Sequence, residues 1–168
     1  AIADPQEIRI KHFLDSLTCA LPFRGKTPKR VIDVGTGAGF PGIPLKIFFP
    51  DIQLTLVESI GKKTKFLKHI VEILGLEEVT IITERAEVLG QSPDHREHYD
   101  LALARAVANL GTLAEYLLPL IRINAYMIAQ KGESAPAEIQ NAEKCIHLLG
   151  GRLRQIQHIT LPGVADDL

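Results

Sequence analysis

Residues 30–45 carry the pattern that most narrows what this chain can fold into. An apolar run, Arg30-Val31-Ile32-Asp33-Val34, ends in Gly35-Thr36-Gly37-Ala38-Gly39 and continues as Phe40-Pro41-Gly42-Ile43-Pro44-Leu45. A strand that stops in glycines and enters a helix leaves free backbone N–H groups at the C-terminal edge of a sheet, where open α/β sheets bind ligands. The glycines allow positive φ and close approach of the main chain to a ligand. Glu58 closes the next apolar run, about 20 residues on, where a carboxylate can accept both ribose hydroxyls of an adenosine.

The rest of the chain extends this unit. Asp4-Pro5-Gln6-Glu7 reads as an N-cap, a first-turn proline and a capping-box Glu, so a helix is expected through Ile8, Phe13, Leu14, Leu17 and Ala20. Residues 21–29 form a connection. Strands are expected at Arg30–Val34, Gln53–Val57, Val79–Thr83, Asp100–Ala104, Ala125–Ala129 and Leu153–Leu161. Between them fall helices from Ile43-Pro44 to Pro50, from a Ser59 cap to a Gly75 stop, at Ala86–Leu89, Leu110–Ile121 and Glu138–Leu149. This alternation predicts an α/β domain with a mostly parallel sheet and helices on both faces. Residues 1–29 read as an N-terminal helix and connection, the remnant of a longer helical region. Residues 30–168 read as the main domain, its final strand expected to be missing from the sequence.

Two cofactors compete for the turn. Gly37-Ala38-Gly39-Phe40-Pro41-Gly42 matches a dinucleotide G-x-G-x-x-G, with Glu58 as its acidic partner. That fingerprint wants its third glycine inside the helix, and Pro41 and Pro44 predict a helix that starts too late. The reading preferred here is G-x-G-x-G with a Phe-Pro-Gly extension, suited to a nucleoside without a pyrophosphate. Ala86-Glu87, after the third strand, is placed to frame an adenine, or is an ordinary acidic helix start. Arg105 ends the fourth strand inside an apolar stretch and needs an anionic partner if buried: a ligand carboxylate, an RNA phosphate, or Glu87 or Asp100. His12 and Asp15 share a helix face at i, i+3.

The 168 residues carry a net charge of −1, so the molecule as a whole does not attract nucleic acid. Charge is sided, however. Arg9, Lys11, Arg24, Lys26, Lys29 and Arg30 outweigh the acids of the first thirty positions, and Lys62, Lys63, Lys65 and Lys68 cluster on one predicted helix. Lys131-Gly132 ends the fifth strand, where it could meet phosphate. Cys19 and Cys145 lie in helical apolar stretches, the usage of a reducing cytosol, with no metal-ligand spacing. No apolar run is long enough to span a bilayer. The place after strand four reads Ala104-Arg105-Ala106-Val107, without the Asp/Asn-Pro-Pro-aromatic segment that grips an exocyclic amine. Neither cysteine looks like a carbon-5 nucleophile. An acceptor with a free lone pair, such as guanine N7, needs neither device, and catalysis can then be largely alignment.

Together these blocks resemble the bacterial 16S ribosomal RNA guanine-N7 methyltransferases, the glucose-inhibited division protein B family. The resemblance is carried by Asp4-Pro5, His12-x-x-Asp15-Ser16-Leu17, the block from Ile32 to Leu45, Val57-Glu58-Ser59, Lys62-Lys63 before Phe66-Leu67, Arg85-Ala86-Glu87, Arg105-Ala106 and Lys131-Gly132. It implies a Rossmann-like class I S-adenosylmethionine-dependent methyltransferase fold. It implies donor contacts within Gly35, Thr36, Gly37, Gly39, Phe40, Glu58, Ser59, Ala86, Glu87 and Arg105. The substrate it implies is one guanine of 16S rRNA in the small ribosomal subunit, with Arg9, His12, Lys62, Lys63 and Lys131 as candidate RNA contacts. A monomeric, cytoplasmic enzyme without metal or membrane association is expected. Members of the family carry additional helices at the start and an Arg/Lys-rich strand at the end. The competing readings are an NAD(P)-dependent oxidoreductase and a non-catalytic S-adenosylmethionine-binding, ribosome-associated module.

Overall fold

The apolar run before the glycines forms β1 (Arg30–Val34), the central strand of a five-stranded sheet in the computed structural model, which describes residues 4–23, 27–105 and 107–163. β2 (Gln53–Val57) and β3 (Val79–Ile82) lie on one side of it; β4 (Tyr99–Arg105) and β5 (Ile121–Gln130) lie on the other. The order is β3-β2-β1-β4-β5, and every pairing is parallel. After β3 the chain therefore crosses back over β1, and the loop following β1 opens at this reversal. Crevices at such reversals, beyond the C-terminal strand ends, are where doubly wound sheets hold ligands.

Strands buried on both faces explain why the sequence runs apolar rather than alternating. Ile32, Val34, Val57, Ala102 and Ala104 pack with Leu113, Leu117 and Leu120 of one helical layer. Val31, Leu54, Leu56, Leu101 and Leu103 face the opposite way, against Ile43, Leu45 and Leu67. Odd and even positions of β1 thus serve opposite layers, as the pleat requires. The layers are supplied by α3 (Gly42–Phe48) and α4 (Gly61–Ile73) on one face and by α5 (Ala86–Leu89) and α6 (Leu110–Leu117) on the other, with α7 (Ala135–Leu148) packed on α6. Each fully buried leucine contributes about 2 kcal/mol of transfer free energy.

The first helix is continuous but changes winding. It runs as α1 (Pro5–Ile8), widens to a π-helix over Arg9–Leu14, returns as α2 (Asp15–Leu17) and closes in a 3₁₀ turn, Thr18–Ala20. Asp4 caps it through Glu7 N–H, as its sequence predicts. Cys19 is buried in the same apolar cluster as Val31 and Leu101, so the helix shares the sheet's core.

Four expectations need correction. The expected strand Leu153–Leu161 does not form: residues 151–161 have no regular structure, and Leu153, Ile156 and Ile159 are exposed. Their apolar spacing is three, and a strand segregates faces at two. The helix expected over Leu110–Ile121 stops at Leu117, followed by a 3₁₀ turn containing Pro119, and β5 starts at Ile121. Between Tyr99 and Leu101 the β4–β5 register jumps from Ile121 to Tyr126, with Asn124 at φ 67° absorbing the excess residues. Ser59 does not cap α4; the cap position is Ile60. Finally, α3 starts at Gly42 rather than at Ile43-Pro44. Pro41 takes the cap position, and Pro44 lies in the first turn, where its missing N–H costs nothing. Arg24, Lys26 and Ala106 lie outside the described residues. No helix among the described residues is long and apolar enough to cross a membrane.

Candidate functional site

The glycine turn is built around one buried carboxylate. Asp33 has no solvent exposure, and its Oδ2 accepts from Thr36 Oγ1 at 2.6 Å and from Gly42 N–H at 2.9 Å. One side chain thereby holds both the rise of the loop and the first residue of α3. Burial pushes the Asp33 carboxyl up to about 6, although the bonds from Thr36 and Gly42 pull the other way. Its Oδ1 has no hydrogen-bond partner among the described residues. The loop is pinned to β2 by Gly35 N–H and Thr36 N–H, both donating to Val57 carbonyl oxygen. Gly39 sits at φ 99°, and a Cβ there would collide with Ile43 Cδ1. At Gly42 a Cβ would lie 2.8 Å from both Asp33 Oδ2 and Leu56 Cδ2. Gly42 thus packs the start of a helix against the sheet, the job of the third glycine in a dinucleotide turn. The prolines therefore do not separate the two cofactor readings, contrary to the expectation from sequence.

Glu58 stands where β2 ends, almost fully buried. Its Oε2 accepts from Gly37 N–H at 3.2 Å, its Oε1 from Ile60 N–H at 3.1 Å, and Lys63 Nζ lies 3.4 Å from Oε2. The Glu58 carboxylate, not Ser59, takes the Ile60 N–H at the entry to α4 and sets negative charge near that end of the helix dipole. Ser59 itself is exposed. Lys63, Lys62 and Arg9 are all exposed, and of the three Lys63 pairs with Glu58. After β3, Ala86 is buried at the start of α5 and Glu87 is exposed beside it. These positions share the C-terminal sheet edge with the glycine turn.

Arg105 ends β4 and carries a second, longer-range cluster. Its partner is neither Glu87 nor Asp100 but Asp15, with Nη1 3.1 Å from Oδ2. Asp100 lies at the opposite end of β4, where it accepts from the Lys29 and Arg30 N–H groups and pairs with Arg122. The Arg105 guanidinium carbon stands 5.2 Å from the centroid of Phe40, a cation–π distance. Phe40 is flanked by His12 at 5.4 Å and, edge-on, by Phe13 at 5.1 Å. The shared face of His12 and Asp15 thus meets the sheet edge from above. Sequence reasoning missed Gln130, the last residue of β5. Its Nε2 donates to Asp15 carbonyl oxygen at 2.8 Å and to Thr18 Oγ1 at 3.2 Å. A polar residue closing the apolar run Ala125–Ala129 was the available signal.

Lys131 has a different place from the one its position suggested. Its Nζ bonds Glu138 Oε2 at 2.7 Å and Ala108 carbonyl oxygen at 2.7 Å. Glu138 also accepts from Leu110 N–H and Ser134 Oγ. Lys131, and after it Ser134, hold the Glu138 carboxyl below its ordinary value. This network ties β5, α6 and α7 together. Burial pushes the Cys19 thiol up to about 12, which leaves no thiolate for nucleophilic attack near neutrality.

Chains of this fold are found among the S-adenosylmethionine-dependent methyltransferases. An enzyme of that class from Aquifex aeolicus superposes with a TM-score of 0.63 at 18% identity, covering 90% of this chain and 86% of that one. An S-adenosylmethionine-dependent O-methyltransferase from Thermotoga maritima gives 0.60 at 17% identity, over 88% and 51%. At these identities the likeness fixes the fold class alone. Sequence goes further. The GidB model, rRNA small subunit methyltransferase G, matches residues 1–163. Proteins named ribosomal RNA small subunit methyltransferase G share 53% identity in Roseiflexus castenholzii, over 98% of this chain and 70% of theirs. The Alkaliphilus metalliredigens protein shares 50%, over 96% and 68%. The chain belongs to the GidB family, rRNA small subunit methyltransferase G, and spans about 70% of the length of the first of these relatives.

Proposed function

We propose that this chain transfers the methyl group of S-adenosylmethionine to N7 of a specific guanine in 16S rRNA. The observation that carries the reading is the match to rRNA small subunit methyltransferase G over residues 1–163, with the family-like positions converging on one sheet edge. The residues present fit such a donor. Gly35, Thr36, Gly37 and Gly39 bring backbone close to it, and the buried Glu58 offers the carboxylate for ribose hydroxyls. Ser59, Ala86 and Glu87 line the adenine end, while Phe40 and Arg105 serve the amino-acid end with its carboxylate.

The chemistry asks little of side chains. Guanine N7 carries a lone pair and no proton. It bonds the methyl carbon as the sulfur–carbon bond breaks and its electron pair returns to sulfur. The positive charge passes from the sulfonium to the methylated ring. No general base is required, and a rigid edge that aligns the two reactants supplies the advantage. Of the five candidate RNA contacts, Arg9 and Lys62 are exposed and have no ion-pair partner among the described residues, which suits them to RNA phosphate. His12 and Lys63 sit closer to the donor site, the first packed on the Phe40 ring and the second paired with Glu58. In this reading the protein acts as a cytoplasmic monomer on the small ribosomal subunit or its rRNA.

The test is transfer of labelled methyl groups to small subunits, and to free 16S rRNA, prepared without the modification. Label in one guanine of the rRNA is expected. Binding of S-adenosylmethionine without any transfer would reduce the chain to a binding module. Binding of NAD(H) in its place would make it an oxidoreductase.

A further inference from the structure

We propose that Asp15 is a positioning residue for methyl transfer: it fixes the Arg105 guanidinium over Phe40 so that the remaining N–H donors receive the carboxylate of the methyl donor. The proposal rests on the reading above that places Arg105 at the donor's amino-acid end. It adds a residue from the first helix, and with it a wall of the site built from outside the sheet.

The Asp15 contact uses only Nη1 of Arg105, which also points at His12 carbonyl oxygen at 3.5 Å. Among the described residues, Nε and Nη2 of Arg105 have no acceptor. A planar guanidinium holds a carboxylate through two parallel N–H groups, and only if its plane is fixed beforehand does binding avoid ordering a long side chain. Three elements fix it here. The Arg105 backbone belongs to β4, and Phe40 from the glycine turn lies against the guanidinium. Asp15 grips one end.

Asp15 is itself anchored. Its carbonyl oxygen accepts from Gln130 Nε2 at 2.8 Å and from Thr18 Oγ1 at 2.6 Å, which ties the helix to the end of β5. The anchored stretch follows the π-wound segment Arg9–Leu14, which carries His12 and Phe13 onto Phe40. A π-wound turn inside a helix is a local departure that recurs at functional sites. An exposed surface ion pair would have none of this support. Here the Arg105 side chain is 18% and the Asp15 side chain 29% exposed.

Calorimetry on the full chain separates the two layers of the claim. The probes are S-adenosylhomocysteine, which has the amino-acid carboxylate, and 5′-methylthioadenosine, which lacks it. Arg105→Ala should weaken the first about ten-fold or more and leave the second within about two-fold. Asp15→Asn should weaken S-adenosylhomocysteine about five-fold or more, and Asp15→Glu should recover most of that loss. In the Arg105→Ala background, Asp15→Asn should add nothing. In turnover, Asp15→Asn should raise KM for the methyl donor with kcat little changed. Unchanged S-adenosylhomocysteine affinity in Arg105→Ala would overturn the placement of Arg105 itself. A loss in Arg105→Ala without one in Asp15→Asn would overturn the positioning role alone. So would a loss in Asp15→Asn that extends equally to methylthioadenosine or persists without Arg105.

Discussion

The glycine turn and the arginine clamp share a sheet edge and meet at Phe40, yet they are assembled in different ways. The turn is nearly self-contained: Asp33, Thr36, Gly39 and Gly42 fall within ten positions and bond one another. The clamp draws His12, Asp15, Phe40, Arg105 and Gln130 from four separate elements. A turn made of neighbours fails as a unit of the fold when one member is changed. A clamp gathered over long sequence distances rests on a scaffold that stands without it, so its loss should register in binding more than in stability.

The largest effect should come from the turn. Gly39→Val places a branched side chain at φ 99°, into Ile43, and should cost about 3 kcal/mol or more of stability along with donor binding. Equal stability of wild type and variant in urea titration would break the idea that position 39 tolerates no Cβ.

Asp33 gives a pH signature next in size. Its folded value of about 6 lies above the ordinary 3.8, so between these limits the folded chain holds a proton that the unfolded chain releases. This group's contribution to stability is therefore fully present below pH 4 and lost as pH rises through 6, by roughly 3 kcal/mol. Asp33→Asn has no proton to lose. The stability difference between variant and wild type should change across pH 4–6 by that amount; a constant difference would contradict the buried, raised carboxyl.

Arg105→Ala should lower thermal stability by about 1 kcal/mol or less while turnover collapses, the reverse weighting to Gly39→Val. Equal losses would make the clamp a structural tie. Smallest of all, Ser59→Ala should leave stability within about 0.5 kcal/mol, because Glu58 already takes the N–H of Ile60.

The same contrast explains what could be read from the sequence. Strand bounds at Arg30–Val34 and Gln53–Val57, and the short helix Ala86–Leu89, emerge as expected, because apolar runs and their turn residues are adjacent in the chain. The parallel sheet follows from their alternation, with five strands formed among the described residues where six were expected. What failed was tertiary. Pro41 and Pro44 suggested a delayed helix, but Asp33 reaches back to hold Gly42 at its start. Ser59 looked like a cap until Glu58 supplied the acceptor. Arg105 plainly needed an anion, yet nothing local distinguishes Asp15, ninety positions away, from Glu87 or Asp100. Gln130 became visible only when the first helix was seen to lie over the end of β5. Leu153–Leu161 was apolar enough for a strand but spaced wrongly for one.

The central claim is that this edge delivers a methyl group to guanine N7 of ribosomal RNA. The direct measurement is N7-specific strand scission of 16S rRNA after incubation of unmodified small subunits with the protein and S-adenosylmethionine. The account predicts one new cut, at a single guanine, that disappears when the donor is omitted. Transfer of label to the rRNA without any new N7-dependent cut would contradict it.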